Sequence, residues 1–310
     1  MNDRGSYFYR CYSHISAGGL ISGKGPGQAR PLGDDLLPEF INHLVLHTTK
    51  PTALVSVSSR MIDTLRRAFN KCYKDGEDAS QIWIAFFYVP YADEYAYHHA
   101  EDLAEKFKMK NSRRLRYEYI FEWEIPKKYF IHELSVETLM KRGFNMSEFL
   151  VDDDFGGVVL PFISGSTKER SVASPGTSIP GLKIDFAKAI FKSSDNAHEV
   201  GIYLGLLARS FGARSPLHQI ILQLQLDCFR INPVNPDDQL FRFSYDDDFP
   251  AIENGVDEVL IDWWLTDPDF CVEYEDHLAW AEQIREGVET EGELYKTEMQ
   301  IEEAAIELGL

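Results

Sequence analysis

TALVSVSSRMIDTLRRAF, residues 52–69, joins an apolar strand to an amphipathic helix through a short serine-rich turn. Residues 52–58 are rich in the β-branched residues that favour a strand, and the apolar residues of 61–69 recur at helical spacing. Apolar runs and helical patterns also alternate on both sides of this stretch. Together they predict an α+β domain with a mixed sheet and helices. Further strands are expected at 7–12, 81–89 and 116–125, and further helices at 34–47 and within 93–107.

The strand predicted at 116–125 has one apolar face and one largely acidic face. Side chains alternate between the two faces of a strand, so residues two apart lie together. The acidic face must therefore lie against solvent or a cleft. Tyr119, Phe121, Trp123 and Ile125 share the first face, and Glu118, Ile120, Glu122 and Glu124 share the second.

The second half of the chain is predicted to be mainly helical. Helical patterns cover residues 184–191, 195–211 and 215–229, and Gly212 and Ser215-Pro216 are typical of a helix end and a helix start. A pair of strands is expected at 239–245 and 258–265. The last 35 or so residues predict a long acidic helix with one apolar stripe.

Charge divides the 310 residues unevenly. The net charge is −19, yet residues 1–150 carry 20 basic and 19 acidic residues, which leaves 11 basic and 31 acidic residues for the rest. Gly, Ser, Pro and charged residues are concentrated between the two halves, as in a linker. The sequence therefore predicts a domain at 1–150, a linker at 151–182 and an acidic, mainly helical domain at 183–310.

Composition excludes several functional classes. Net acidity disfavours binding to nucleic acid or to an anionic membrane. The four cysteines have no metal-ligand spacing, and the sequence has no signal peptide and no apolar run long enough to cross a membrane. A cytoplasmic protein without a metal cofactor is expected. Nucleotide-hydrolase chemistry is disfavoured too, because the GxxxxGK pattern at 18–24 lacks the hydroxyl residue that would follow the lysine.

One set of residues points to a dinucleotide substrate. Arg10 lies on the first strand and is followed by Ser13 and Gly18-Gly19, while Ser56-Val57-Ser58 ends the second strand just before a helix. Glu118 lies seven residues before Ile125-Pro126. This pattern, over roughly residues 7–135, resembles the Arg–Ser–Glu class of ADP-ribosyltransferases, to which the cholera and heat-labile enterotoxin A chains belong. It is also similar to the pattern of some fungal proteins.

The resemblance implies that NAD is the substrate and that its ADP-ribose is transferred to a protein side chain or to water. It implies catalytic roles for Glu118 and Ser56 and cofactor-binding roles for Arg10, Ser13 and Ser58. A carboxylate such as Glu118 can stabilise the oxocarbenium-like charge that develops on the ribose, and an arginine can bind a pyrophosphate bidentately.

Three alternatives remain open at this point. Arg116 occupies the position two residues before the catalytic glutamate, where enzymes of this class often carry Glu or Gln to engage the acceptor, so NAD glycohydrolysis is as compatible as transfer. Glu122-Trp123-Glu124 offers a second register for the catalytic glutamate. The chain is alternatively an inactive interaction module on the same scaffold, with its acidic half binding a basic partner.

Overall fold

A computed structural model describes the sheet, the helices around it and three helices of the second half. The predicted linker at 151–182, the predicted helix at 184–191 except Ile190, and the C-terminal acidic segment lie outside the described residues. Within the described residues no helix combines the length and the apolar character needed to cross a membrane. The described residues are 5–16, 18–27, 31–44, 50–73, 75–142, 144, 190, 194, 196–229 and 245–266.

Six strands form one sheet in the order β4-β5-β2-β1-β3-β6, and every neighbouring pair is antiparallel. The prediction of a mixed sheet is therefore wrong. Strands β2 and β3, which a helix connects, do run in the same direction, but β1 lies between them and pairs antiparallel with both. The strands are β1 Gly5–Ser13, β2 Leu54–Ser58, β3 Ile82–Pro90, β4 His98–His99, β5 Glu118–Glu122 and β6 Phe130–Ser135.

The first three helices confirm the predicted helices in outline, whereas the fourth, α4, is not predicted from the sequence. Helix α2 begins directly after the serine turn and is four residues longer than expected. The segment at 93–107 divides into a 3-10 turn, the short strand β4 and a helix, since His98 and His99 pair with β5. These helices are α1 Leu36–Leu44, α2 Met61–Tyr73, α3 Ala100–Lys106 and α4 Val136–Lys141.

Two groups of helices cover the same face of the sheet and leave a space between them. Helices α1 and α3 pack on Leu54 and Ile120 of β2 and β5. Helix α2 packs on Ile84 and Phe86 of β3, together with α4 and helices of the second half. The end of β2 at Ser58 and the start of β5 at Glu118 therefore lie between the two groups of helices. The other face buries Phe8, Val55, Val57, Phe87 and Phe121 under the segments around Tyr97 and Tyr129.

Helices of the second half join the core of the sheet. The Phe211 ring lies edge-on to Phe86 of β3 and to Phe144, with centroids 6.0 and 5.7 Å apart. Helix α5 stops where the sequence predicts, because Gly212 has a φ of +89°, which favours glycine. These helices are α5 Ala197–Arg209, α6 Leu217–Phe229 and α7 Tyr245–Thr266.

The strand prediction at 258–265 is wrong, because these residues belong to helix α7. Ile252, Val256, Val259 and Trp263 are buried at spacings of three and four, which buries one helical stripe rather than alternate strand positions. Its predicted partner, 239–245, lies outside the described residues except for Tyr245, which begins the same helix.

Candidate active site

The site lies where strands β1 and β2 separate. Strand β1 pairs with β3 along its whole length but with β2 only at Tyr9 and Ser58. Strand β2 continues instead beside β5. A cavity of about 1060 Å³ lies at this opening, on the face left between α1 and α2. A cavity of this size can hold a small organic ligand.

Arg10 lies in the opening and binds the backbone on both sides of it. Its Nε donates to the Gly19 carbonyl at 2.8 Å and its Nη2 to the Gly18 carbonyl at 3.0 Å, while Nη1 donates to the Ser56 carbonyl. Burial, assisted by the charge of Arg67, lowers the pKa of Arg10 to about 10, so the guanidinium is still charged at neutral pH. Three of its five N–H donors hold the glycine turn against β2, and the other two have no hydrogen-bond acceptor among the described residues.

Ser56 is buried on β2 and forms a hydrogen bond with a histidine of α1. The Ser56 hydroxyl pairs with His43 Nε2, and His43 Nδ1 lies 2.9 Å from the Thr52 hydroxyl. Burial lowers the pKa of His43 below its ordinary value of 6.5, and this outweighs the opposite effect of Glu118. The imidazole is therefore neutral at neutral pH, and its two ring nitrogens have different donor and acceptor roles.

Glu118 begins β5 opposite Ser58 and lines the same cavity as Arg10, His43 and Ser56. Its charge acts on both Arg10 and His43, raising the pKa of each against the effect of burial. Three chain segments that are far apart in sequence thus bring the predicted arginine, serine and glutamate to one cavity.

The alternative glutamates have other surroundings. Glu122 Oε1 lies 2.8 Å from His98 Nε2, and its Oε2 accepts a hydrogen bond of 2.6 Å from the Leu32 N–H. These two contacts join β5 to β4 and to the segment before α1. Glu124 is exposed, and neither carboxylate lines the cavity. Among the three candidate glutamates, the geometry therefore favours Glu118, which alone of them lines the cavity.

The other two predicted serines differ in position. Ser58 lines the cavity, and its hydroxyl accepts from the Arg60 N–H at 3.1 Å, which shapes the turn into α2. Ser13 does not line the cavity. Its hydroxyl accepts from Lys71 Nζ at 3.0 Å at the end of β1, and Lys71 also pairs with Glu77.

The cavity lining is basic although the chain is acidic. Eight arginines and lysines line it against three carboxylates, which are Asp63, Asp75 and Glu118. Two guanidinium groups, those of Arg60 and Arg116, also lie over the Tyr117 ring at 3.6 and 4.6 Å from its centroid. Such a lining favours an anionic ligand.

Sequence reasoning missed most of the cavity lining, including His43, Arg67 and the other cations of α2 and of the turn before β5. A signal for His43 is present, because it follows Glu39 and Phe40 at spacings of four and three on one face of α1, and both of these are buried. A polar group on the buried face of a helix requires a polar partner. The sequence does not show that this partner is Ser56, which is on a different element.

Residues 4–139 match the family model described as a domain of unknown function, DUF7587. The matched region extends from β1 to β6 and includes every residue that lines the cavity. No curated protein and no solved structure matches the chain.

Proposed function

We propose that this cavity binds NAD and cleaves the bond between nicotinamide and ribose, passing ADP-ribose to a protein side chain or to water. The observation that carries the proposal is the convergence of Arg10, Ser56 and Glu118 on one cavity at the β1–β2 opening. The volume and the basic lining suit a dinucleotide, whose pyrophosphate is anionic.

The proposed role of Glu118 follows from the charge that develops in the reaction. When the C–N bond breaks, nicotinamide leaves with the bonding electrons and the ribose acquires oxocarbenium-like positive charge. A carboxylate that accepts hydrogen bonds from the ribose hydroxyls stabilises that charge more in the transition state than in the ground state. The acceptor oxygen or nitrogen then bonds to the ribose carbon and releases its proton.

His43 and Ser56 are positioning residues in this proposal. Because burial keeps His43 neutral, the imidazole adds no positive charge next to the developing cation. Its contacts with Thr52 and Ser56 fix the Ser56 hydroxyl at the wall of the cavity. Arg10 holds the glycine turn and keeps two N–H donors for the pyrophosphate.

The decisive experiment measures nicotinamide release from NAD by the full chain and by its Glu118→Gln variant. We expect release by the wild type and a loss of at least about 100-fold in the variant, since an electrostatic group acting in the transition state contributes mainly to the rate. Labelled NAD added with a cell extract distinguishes transfer to protein from hydrolysis.

Glu124→Gln is the matched control, because Glu124 is exposed on the same segment and belongs to the other register. It should retain wild-type release. Equal loss in both variants would contradict the assignment of Glu118. Absence of both NAD binding and nicotinamide release by the folded wild type would favour the interaction module instead.

A further inference from the structure

The wall of the cavity formed by α2 carries more positive charge than a pyrophosphate requires. Arg60, Asp63, Arg67 and Lys71 line the cavity at spacings of three and four, so they share one face of the helix. Arg66, which directly precedes Arg67 in the helix, also lines the cavity.

Two of these cations are already paired, and two are not. Arg60 pairs with Asp63 at 2.6 Å and Lys71 with Glu77 at 2.8 Å. In the described part of the chain no carboxylate lies within ion-pair distance of Arg66 or Arg67. Arg66 Nε is buried there without a hydrogen-bond partner. A buried guanidinium donor without a partner is unfavourable, so this side chain has hydrogen-bonding capacity that the described residues do not meet.

Arg67 faces other cations. Its charge lowers the pKa of Arg10 and of His43, so all three side chains share one electrostatic environment. Two guanidinium groups beside one cavity repel each other unless an anion lies between them. Arg10 is held by carbonyl groups, whereas the exposed Arg67 is available to bind a second anionic group.

The opposite wall adds to this positive charge. Lys110 and Arg114, from the turn before β5, line the same cavity and are exposed. Neither has an ion pair within the residues that the structure describes. The Arg60 guanidinium stacks on Tyr117 and so joins this turn to the start of α2.

We propose that α2 and the turn before β5 form a subsite for a phosphate monoester beside the dinucleotide, with Arg67 and Arg114 as its exposed cations and Arg66 as a further cation of its lining. Guanidinium groups bind phosphate oxygens bidentately, which suits a dianionic monoester. The monoester is either the 2′-phosphate of NADP or a separate phosphate bound together with NAD. The part of this proposal that concerns the dinucleotide rests on the proposed function, whereas binding of phosphate to the subsite does not depend on it.

The test is calorimetric titration of the full-length Glu118→Gln variant, which limits turnover, at low ionic strength. The ligands are NAD, NADP, inorganic phosphate, and NAD in the presence of inorganic phosphate. We expect either NADP to bind about tenfold more tightly than NAD, or phosphate to tighten NAD binding by a similar factor. The first result identifies the 2′-phosphate as the ligand, and the second identifies a separate phosphate. Added salt should reduce either effect.

Arg67→Gln combined with Arg114→Gln should remove the effect, whereas Arg113→Gln should retain it. Arg113 is exposed on the same turn as Arg114 but does not line the cavity. Equal binding of NAD and NADP with no effect of phosphate overturns the subsite and leaves the proposed function intact. Phosphate binding that the double variant abolishes, without binding of either dinucleotide, supports the subsite and overturns the proposed function. No binding of any ligand overturns both.

Discussion

At the scale of single residues, the site depends on polar groups that the fold buries and then satisfies internally. Arg10 donates to three carbonyl groups on both sides of the strand opening. A lysine could not reproduce this pattern, because its ammonium is a point charge without the planar fork of a guanidinium. His43 satisfies Ser56 and Thr52 in a similar way from α1.

His43 should make stability depend on pH. Its folded-state pKa lies below 6.5, so the unfolded chain takes up a proton first as the pH falls. The contribution of neutral His43 to the free energy of unfolding is fully present above about pH 6.5. It decreases as the pH falls below that value, by at most about 1.4 kcal/mol per pH unit for one group. Denaturant unfolding between pH 7.5 and pH 5 should show this loss in the wild type, and His43→Gln should show less of it.

His218→Gln is the control, because His218 is exposed on α6 and lies outside the cavity. It should have the wild-type pH dependence. If His43→Gln showed the wild-type loss of stability at low pH, burial of a neutral His43 would not explain the acid sensitivity.

At the scale of elements, the five residues of β2 contribute both to the hydrophobic core and to the wall of the cavity. Val55 and Val57 pack in the core on one face of the sheet. Ser56 and Ser58 point to the other face and line the cavity. Strand alternation therefore places the two hydroxyls side by side, while the apolar residues hold the strand in position.

Helices α5 and α7 approach so closely that two glycines are required at their contact. A Cβ on Gly201 would lie 2.0 Å from the Ile252 carbonyl oxygen, and one on Gly255 would lie 2.1 Å from that of His198. Backbone atoms cannot move aside as a flexible side chain can. Both helices must therefore keep glycine at the crossing.

Gly201→Ala should destabilise the protein by about 1–3 kcal/mol, the usual cost of overpacking, despite the higher helix propensity of alanine. Chemical denaturation measures the change. Gly205→Ala is the matched control on the same helix, because its nearest neighbour is the Val259 side chain at 3.0 Å. It should cost less, and a stabilising Gly201→Ala would contradict the close contact.

At the scale of the whole molecule, one hydrophobic cluster includes both the sheet and the helices of the second half. Phe211 is fully buried and contacts Phe86 of β3 and Phe144 after α4. The basic cavity thus lies on a sheet whose stability depends partly on the acidic half of the chain.

Phe211→Ala should therefore destabilise the sheet as well as α5, by about 3–5 kcal/mol for a buried phenylalanine. Hydrogen exchange of the β3 amides, followed beside denaturant unfolding, tests this coupling. Leu265→Ala is the control, since Leu265 is 76% exposed. Unchanged protection of β3 in Phe211→Ala would mean that the two halves unfold independently.

Local sequence patterns predict the α+β class, most strands and helices of the first half, and the helical character of α5 and α6. These features follow from local periodicity, from Gly212 and from the serine turn before α2. The sequence also singles out Arg10, Ser56, Ser58 and Glu118, because their order along the chain is a sequence property.

The antiparallel pairing, the helix in place of a strand at 258–265 and the surroundings of the candidate residues emerge only in the folded chain. Pairing depends on which strands become neighbours, and β1 enters between two strands that are successive in the chain. The position of His43 against Ser56, the contacts of Glu122 and the convergence of cations from α2 and the turn before β5 are long-range contacts. Local patterns cannot encode such contacts, because each depends on how distant segments pack together.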